Sequence, residues 1–304
     1  MTAKRQFRIG LALGSGSARG WAHIGVIRVL EEAGFVPDVI CGTSIGSLVG
    51  AAYAADALEP LEKWTRSLTW QSVLGFLDIS VSGGLIKGAR LIEYLSTHFK
   101  DRDIKQLQRP FGAVATELQT GGEVWLVDGS LIQAVRASIS LPGLFTPASV
   151  DGRLLVDGGL VNPVPVSLCR ALGADFVIAV DLTADLVSRR AKPKPARTSA
   201  GSSAQPASMF DRIQARIASA LASGNANKSP SMLEVMAAGI NIMQVQITRS
   251  RLAGEPADVL ITPRLADLAL LDFHRATQAI EEGRRAAQLA LPQLSSLLDD
   301  TGWQ

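Results

Sequence analysis

Short runs of apolar residues alternate with segments of helical periodicity along the first 55 residues of the chain. Residues 7–13 and 36–41 are nearly all apolar, which is typical of buried strands. Residues 21–33 place isoleucine and leucine on one helical face, and residues 47–55 are rich in alanine and also predict a helix. Two strand-helix units in succession predict a parallel sheet that is covered by helices.

The same alternation continues along the chain. Apolar runs predict five further strands, at residues 111–116, 123–127, 153–156, 176–181 and 258–261. Helices are predicted over residues 130–138 and 162–172, ordered structure resumes over residues 232–245, and one or two helices close the chain over residues 266–291. No internal repeat is present.

Residues 58–100 carry many of the large apolar side chains and predict mostly helix, with a break at residues 82–84. The side chains concerned are Trp64, Trp70, Leu74, Phe76 and Leu77. One interpretation is the core of a helical layer, because such stripes are usually buried. The other is the wall or lid of an apolar cleft that receives an acyl chain.

Residues 186–231 differ in kind from the rest. A basic stretch with prolines is followed by Ser, Ala and Gly, and this composition predicts a mobile insertion. The insertion separates a core of residues 7–185 from residues 232–291, which complete the same domain. An amphipathic helix is predicted inside the insertion, with its apolar stripe at Met209, Ile213, Ile217 and Leu221. This helix either docks on the protein's own surface or lies on an anionic membrane, so that residues 189–221 make peripheral contact with the bilayer.

Composition narrows the function classes. The 304 residues are 47% hydrophobic and 5% aromatic with a formal net charge of +2, which fits a globular α/β protein and argues against nucleic acid as a partner. Cys41 and Cys169 lie in apolar surroundings and predict buried thiols, and the three histidines are too scattered for a metal site. No segment resembles a signal peptide or a membrane-spanning helix, so we expect a cytoplasmic protein whose membrane contact, at the inner face, is peripheral.

Three glycine-containing turns carry the candidate chemistry. The segment from Gly14 to Gly20 follows the first strand, Ser44 sits between Gly42 and Gly46 in a G-x-S-x-G elbow after the second, and Asp157-Gly158-Gly159 follows a later one. Loops at the carboxyl ends of parallel strands gather at one edge of the sheet, so we expect the three turns to share a cleft. A serine nucleophile, a base and backbone N–H donors in one cleft are what acyl-ester hydrolysis requires.

The glycine loop fits neither common nucleotide motif. A dinucleotide fingerprint needs a glycine where Arg19 stands, and a phosphate-binding P-loop needs a Gly-Lys-Ser/Thr sequence that does not follow. A loop built around Gly16 at a helix N-terminus suits a small anion, and an oxyanion is such a group.

The base has several candidates. His274 is the one histidine after Asp157, but its segment is typical of an ordinary helix surface, and His23 suits a structural hydrogen bond. Asp157 is either a plain Asp-Gly turn or a base, and as a base it must touch Ser44 directly and be partly desolvated.

The order of these motifs resembles the patatin-like phospholipases, most closely their small bacterial members. The motifs are the Gly14–Gly20 loop with His23-Ile24-Gly25, the Ser44 elbow and Asp157-Gly158-Gly159, and the resemblance extends strongly over residues 7–181 and weakly over residues 256–287. It implies a three-layer α/β/α sandwich with a mainly parallel central sheet. It also implies hydrolysis of lipid acyl esters without a cofactor or a metal.

By position in these motifs, the resemblance implies a dyad in which Ser44 is the nucleophile and Asp157 the general base. The N–H groups of Gly16 and Ser17 are then the oxyanion hole, in a loop shaped by Arg19. Serines stand at positions 15 and 17 where the family has an all-glycine loop, and backbone donors survive such a change if φ stays negative.

We therefore expect a serine acyl hydrolase of phospholipid or lysophospholipid esters that works through an acyl-enzyme. Two alternatives stay open at this point. One is a lipid-binding or regulatory protein without turnover, and the other is an esterase of soluble short-chain esters that depends on His274.

Overall fold

The computed structural model describes residues 7–76, 101–185 and 232–301. The eight strands in these ranges are β1 (Ile9–Leu13), β2 (Val39–Thr43), β3 (Phe111–Glu117), β4 (Glu123–Leu126), β5 (Ala148–Val150), β6 (Arg153–Asp157), β7 (Phe176–Val180) and β8 (Val259–Ile261). The α-helices are α1 (Ala22–Glu32), α2 (Ile45–Ala54), α3 (Leu58–Ser67), α4 (Trp70–Phe76), α5 (Leu131–Ser138), α6 (Val166–Ala171), α7 (Met232–Gly254) and α8 (Ala276–Thr301). The predicted insertion at residues 186–231, its amphipathic helix and its membrane contact lie outside the described residues, as does the break at residues 82–84.

The described strands form one mixed sheet. Its strand order is β5-β6-β3-β2-β1-β7-β8, and β4 pairs with β3. The pairs β1–β2, β1–β7, β2–β3 and β7–β8 are parallel, whereas β3–β4, β3–β6 and β5–β6 are antiparallel. The sheet is therefore mainly parallel, with its antiparallel pairs confined to β3 and the strands beyond it.

Side chains that alternate along β1 divide the core into two layers. Ile9, Leu11 and Leu13 pack into a large cluster with α1, α2, α5 and α8, whereas Ala12 points into a smaller cluster with α6. Because successive side chains of a strand point to opposite faces, helices cover both faces of the sheet. This is the three-layer α/β/α arrangement expected from the sequence.

The register of β3 explains how two strand ends meet. β3 pairs with β4 over residues 113–116, with β2 over residues 111–114 and with β6 over residues 115–117. Since a strand has only two edges, β2 and β6 share the edge opposite β4. Thr43 at the end of β2 pairs with Val114, and Asp157 at the end of β6 pairs with the next residue, Ala115. β2 and β6 therefore run toward each other along this edge of β3, and their ends meet there.

Two predicted elements differ from the structure. The strand that ends at Asp157 was grouped with the parallel strands, but β6 is antiparallel to β3, so its end reaches the site from the opposite direction. The helix predicted from residue 266 begins only at Ala276. Before it, the Asp272 carboxylate accepts a hydrogen bond from Ala269 N, and such local side-chain bonds compete with a continuous helix.

The C-terminal part joins the same sheet and layer. β8 pairs with β7, and α8 packs along α1. Cys41 and Cys169 are both buried and free. Within the described ranges, no helix combines the length and hydropathy needed to cross a bilayer.

Candidate active site

Ser44 occupies a sharp turn between β2 and α2. Its backbone has φ 56° and ψ −125°, a conformation that L-residues seldom adopt and that marks strained functional turns. Both flanking glycines are required by close approach. A Cβ on Gly42 would lie 2.4 Å from Gly46 O, and a Cβ on Gly46 would lie 2.2 Å from Leu13 O. The elbow predicted from the G-x-S-x-G spacing is therefore formed, with the serine at its apex.

Asp157 lies directly beside this serine. Ser44 Oγ donates a hydrogen bond of 2.5 Å to Asp157 Oδ2, as the meeting of β2 and β6 along β3 allows. The second carboxylate oxygen, Oδ1, accepts from Gly159 N at 2.7 Å, so the Asp-Gly-Gly turn holds the carboxylate in place. Gly158 packs against the carbonyl of Val114, where a Cβ would lie 2.2 Å from the oxygen.

Burial changes the acidity of Asp157. Only 1% of the residue is exposed, and this burial raises its pKa from the ordinary 3.8 to about 6, although the hydrogen bonds from Ser44 and Gly159 N oppose the rise. A carboxylate with this pKa is a stronger base than an exposed aspartate and is still ionised at neutral pH. The geometry and acidity together suit the transfer of a proton from Ser44.

The glycine loop lies next to the elbow. The N–H groups of Gly14 and Ser15 donate to Val180 O at 3.0 Å and Pro163 O at 2.8 Å. In the described part of the chain, no group accepts from the N–H of Gly16 or Ser17. Both of these residues line the same cavity as Ser44 and Asp157. The structure therefore brings the three predicted turns to one cavity.

The condition on φ in this loop holds only in part. Ser15 is not among the described non-glycine residues with positive φ, so the condition holds there. Ser17 instead has φ 52°, so the expectation of a negative φ is wrong at this position. Its hydroxyl donates to Leu270 O at 2.7 Å and holds the residue in this conformation.

The buried side chains of Arg19 and His23 hold the loop by hydrogen bonds to its carbonyl groups. Arg19 Nε donates to Gly16 O at 3.1 Å, and burial lowers the pKa of Arg19 to about 10 while Asp185 and Asp181 oppose this, so the guanidinium stays charged. His23 Nε2 donates to Gly14 O at 2.7 Å, and burial lowers the pKa of His23 to about 4. His23 is thus a neutral structural residue. Gly20, which lies between Arg19 and His23 in the chain, packs against Ile45.

The cavity that Ser44 and Asp157 line is apolar and measures about 90 Å³. Its polar lining comes from the turns themselves and from Gln244. Apolar side chains from several elements form the remaining wall, namely Trp21, Ile45, Leu48, Trp64, Leu68, Val73, Ile139, Leu141, Leu144, Phe145, Ile240, Leu270 and Phe273. Three of these, Trp64, Leu68 and Val73, come from the aromatic-rich region for which a cleft wall was one interpretation. Trp64 also packs edge-on against Trp21, so it serves core and wall together.

His274 is not among the residues that line this cavity. It lies in a 3-10 turn and packs edge-on against Trp70, with ring centroids 5.3 Å apart. Among the described residues, no group of three or more His, Cys, Asp or Glu side chains is arranged to hold a metal.

Comparison with known proteins identifies the family. The family model described as Patatin-like phospholipase matches residues 11–170, which is more than half of the chain. The chain belongs to the patatin-like phospholipase family. This confirms the resemblance inferred from the three motifs, and with it the predicted enzyme class, a lipid acyl hydrolase.

Individual relatives agree with this assignment. An uncharacterized NTE family protein of Mycobacterium tuberculosis is 35% identical over 328 residues, which cover 93% of this chain and 91% of that protein. The human patatin-like phospholipase domain-containing protein 6 is 39% identical over 183 residues, which cover 57% of this chain and 13% of that protein. The crystal structure of VipD from Legionella pneumophila covers 96% of this chain and 67% of its own, with 12% identity and a TM-score of 0.47.

Three contacts of this patatin-like site were not predicted from the sequence. Ser138, at the end of α5, accepts a hydrogen bond of 2.8 Å from Ser44 N. Asn241 and Gln244, on α7, contact Arg19 and Ser15. Each pair is separated by more than 90 residues, so no local motif joins its members. Gln244 and Thr248 are buried polar residues at helical spacing on α7, but the sequence alone does not show which element they face.

Proposed function

We propose that Ser44 and Asp157 are the catalytic dyad of this hydrolase and that it cleaves acyl esters of phospholipids or lysophospholipids through an acyl-enzyme. The observation that carries the proposal is the 2.5 Å hydrogen bond from Ser44 Oγ to a buried carboxylate. A serine hydroxyl is a weak nucleophile until a base within hydrogen-bond reach accepts its proton. Asp157 meets this requirement without a histidine between the two.

Acylation begins when Asp157 Oδ2 takes the proton of Ser44 and Ser44 Oγ attacks the ester carbonyl. The carbonyl oxygen then becomes an oxyanion, and the N–H groups of Gly16 and Ser17 donate hydrogen bonds to it. Collapse of this intermediate breaks the bond to the alcohol, which leaves with the proton from Asp157. The acyl group stays on Ser44 as an ester.

Deacylation uses the same groups in reverse. Asp157 takes a proton from a water molecule, which attacks the acyl-enzyme carbonyl, and the oxyanion forms again in the glycine loop. The intermediate releases the fatty acid, and Ser44 regains its proton from Asp157. No step requires a further cofactor.

The character of the cavity supports a lipid substrate. Its wall is almost entirely aliphatic and aromatic, while its polar groups cluster at the dyad and the glycine loop. An acyl chain gains about 0.8 kcal/mol for each CH₂ that it buries against such a wall. A short-chain ester gains less, which favours long-chain lipid esters over small soluble ones.

Labelling with a fluorophosphonate probe, together with hydrolysis of a lysophospholipid, tests the dyad. We expect Ser44→Ala to abolish both signals and Asp157→Asn to reduce hydrolysis by about 10²- to 10⁴-fold, the usual contribution of a general base. Ser149→Ala is the matched control because Ser149 is exposed on β5, outside the cavity. Thermal unfolding of each variant shows that the fold persists.

Two outcomes would contradict the proposal. Near-full hydrolysis by Asp157→Asn would exclude the aspartate as the base. Stoichiometric lipid binding by folded wild type, with no labelling and no hydrolysis of any acyl ester, would favour a lipid-binding protein instead.

A further inference from the structure

One face of α7 is turned toward the glycine loop and contacts it on both sides of the free N–H groups. Gln244 Nε2 donates to Ser15 Oγ at 3.1 Å, before Gly16 in the chain. Asn241 Oδ1 accepts from Arg19 Nη2 at 3.0 Å, after Ser17. Two side chains of a single helix therefore contact the residues that flank the two free donors.

These contacts bear on the direction of the free N–H groups. The N–H of Gly16 belongs to the peptide that joins it to Ser15, so a shift of Ser15 turns that donor. Arg19 in turn holds Gly16 O, which belongs to the peptide that carries the N–H of Ser17. Both peptides that supply donors are thus fixed through residues that α7 contacts.

Gln244 also lies against the turn that carries Asp157. A Cβ placed on Gly159 would lie 2.4 Å from Gln244 Nε2, and 2.9 Å from both Asp157 Oδ1 and Ser15 Oγ. The amide of Gln244 therefore occupies the space between the glycine loop and the Asp-Gly-Gly turn. Gln244 is 4% exposed and Ser15 3% exposed, so bulk water does not compete for this hydrogen bond.

The far end of α7 is fixed to the sheet. Arg251 Nη2 pairs with Glu123 Oε2 of β4 at 2.6 Å, and Arg251 Nε donates to Val161 O at 3.2 Å. Val161 follows the Asp-Gly-Gly turn closely in the chain. A helix that is anchored to the sheet at one end can hold the loop in a defined position at Gln244.

We propose that Gln244 is a positioning residue that orients the oxyanion-binding N–H groups through its hydrogen bond to Ser15. This inference rests on the proposed function, because it assigns Gln244 to the same oxyanion step. Gln244 acts through the loop and donates no hydrogen bond to the reacting ester. A loop donor that is misplaced by a fraction of an ångström stabilises the transition state less, while the apolar wall still binds the acyl chain.

The test compares Gln244→Met, which keeps the length of the side chain and removes the hydrogen bond, with wild type on a lysophospholipid. We expect kcat to fall about tenfold with KM changed less than about twofold. Gln246→Met is the matched control because Gln246 lies on the exposed face of the same helix. It should retain the wild-type kcat.

A double-mutant cycle separates positioning from general support of the fold. Ser15→Ala removes the same hydrogen bond from the loop side with the loss of one oxygen atom, and it stays informative if Gln244→Met does not fold. If Gln244 acts through Ser15, the double variant should be no slower than either single variant. Losses that multiply in the double variant, or an unchanged kcat in Ser15→Ala, would overturn the inference.

Failure of this inference is distinguishable from failure of the dyad. If hydrolysis by wild type depends on Ser44 and Asp157 but Gln244→Met keeps its full kcat, only the role of Gln244 is wrong. If wild type shows no hydrolysis that depends on those two residues, the dyad itself is wrong and the role of Gln244 in its oxyanion step is overturned with it.

Discussion

The elbow and the glycine loop are two turns that follow neighbouring parallel strands, and each contains a serine with positive φ, 56° at Ser44 and 52° at Ser17. They differ in what holds that conformation. At the elbow, the carbonyl of Ser44 accepts from both the N–H and the hydroxyl of Ser47, three residues away. At the loop, the hydroxyl of Ser17 and the N–H of Ala18 both donate to Leu270 O, more than 250 residues away.

The elbow is therefore held mainly by local contacts, whereas the loop is held by distant ones. Ser44, the proposed nucleophile, is positioned mainly by a short stretch whose own helix begins at the next residue, so its geometry follows from local sequence. The loop that carries the proposed oxyanion donors is contacted by residues from the C-terminal part of the chain, namely Asn241, Gln244 and Leu270. The loop is therefore the part of the site on which distant substitutions have the most effect.

The two turns touch each other at Gly46, and this contact gives the largest predicted effect. A Cβ at Gly46 would lie 2.2 Å from Leu13 O and 2.7 Å from Gly14 O, both of them backbone atoms that cannot rotate away. We expect Gly46→Ala to force the elbow and the loop apart and to lower the free energy of unfolding by about 3 kcal/mol or more. Thermal or urea unfolding measures this loss, and any folded fraction should label poorly with a fluorophosphonate.

Gly50→Ala is the matched control for this prediction. Gly50 lies one turn further along α2, and its Cβ would meet only side chains, the nearest being Ile40 Cγ2 at 3.1 Å. Alanine is favoured over glycine inside a helix by about 1 kcal/mol, which offsets part of the crowding. Equal stability of the two variants would mean that the elbow and the loop are not held in close contact.

Local signals account for what the sequence could predict. The spacing of Gly42, Ser44 and Gly46 after an apolar run indicates the elbow, because the close packing there involves residues only a few positions apart. Alternation of strands and helices likewise indicates the layered fold. The Asp-Gly-Gly turn was predicted from the apolar run before it, and the resemblance implied the role of Asp157. The direction of β6 was wrong, since the pairing of β6 with β3 depends on residues about 40 positions apart.

Contacts that join distant elements could not be predicted in this way. The sequence near Gln244 predicts ordered structure, but nothing in it indicates which element this segment will face. The turn before α8 was also missed, because Asp272 caps Ala269 N in a segment whose apolar residues fit a helix equally well. The positive φ of Ser17 depends on Leu270, and no local rule connects the two.

The ionised carboxylate of Asp157 destabilises the folded protein, and a neutral side chain at this position should remove that cost. The pKa of Asp157 is about 6 in the folded protein and near 3.8 when unfolded, so burial favours the protonated form. The contribution of protonated Asp157 to the free energy of unfolding is fully present below pH 3.8 and is lost as the pH rises through 6. At pH 8 the ionised carboxylate costs on the order of 3 kcal/mol.

We therefore expect Asp157→Asn to be more stable than wild type at pH 8, by several degrees in Tm, and to lose this advantage toward pH 4. The asparagine can still accept from Gly159 N and donate to Ser44 Oγ. Thermal unfolding of both proteins between pH 4 and 8 measures the difference. A gap in Tm that does not change with pH would show that ionisation of Asp157 is not its cause.

Asp157 beside the elbow and His23 behind the loop are buried titratable groups whose pKa values burial shifts in opposite directions, and the pH dependence of activity should report only Asp157. Above pH 6 Asp157 is ionised and can accept the proton of Ser44, so we expect kcat/KM to fall tenfold per pH unit below about 6. His23 behind the loop ionises only near pH 4. The pH profile for hydrolysis of a soluble ester should show a single ionisation, and a midpoint near 4 would assign that ionisation to His23 and contradict the prediction.

The smallest predicted effect concerns His274, which packs on Trp70 beside the segment that holds the loop. If the elbow and Asp157 supply all the proton transfer, His274→Ala should change kcat by less than about twofold and cost about 1 kcal/mol of stability through the lost ring contact. His274→Phe keeps an aromatic ring there and should recover most of that stability. A loss of activity as large as that of Ser44→Ala, in both variants, would instead make His274 the base of an ordinary triad and reduce Asp157 to its support.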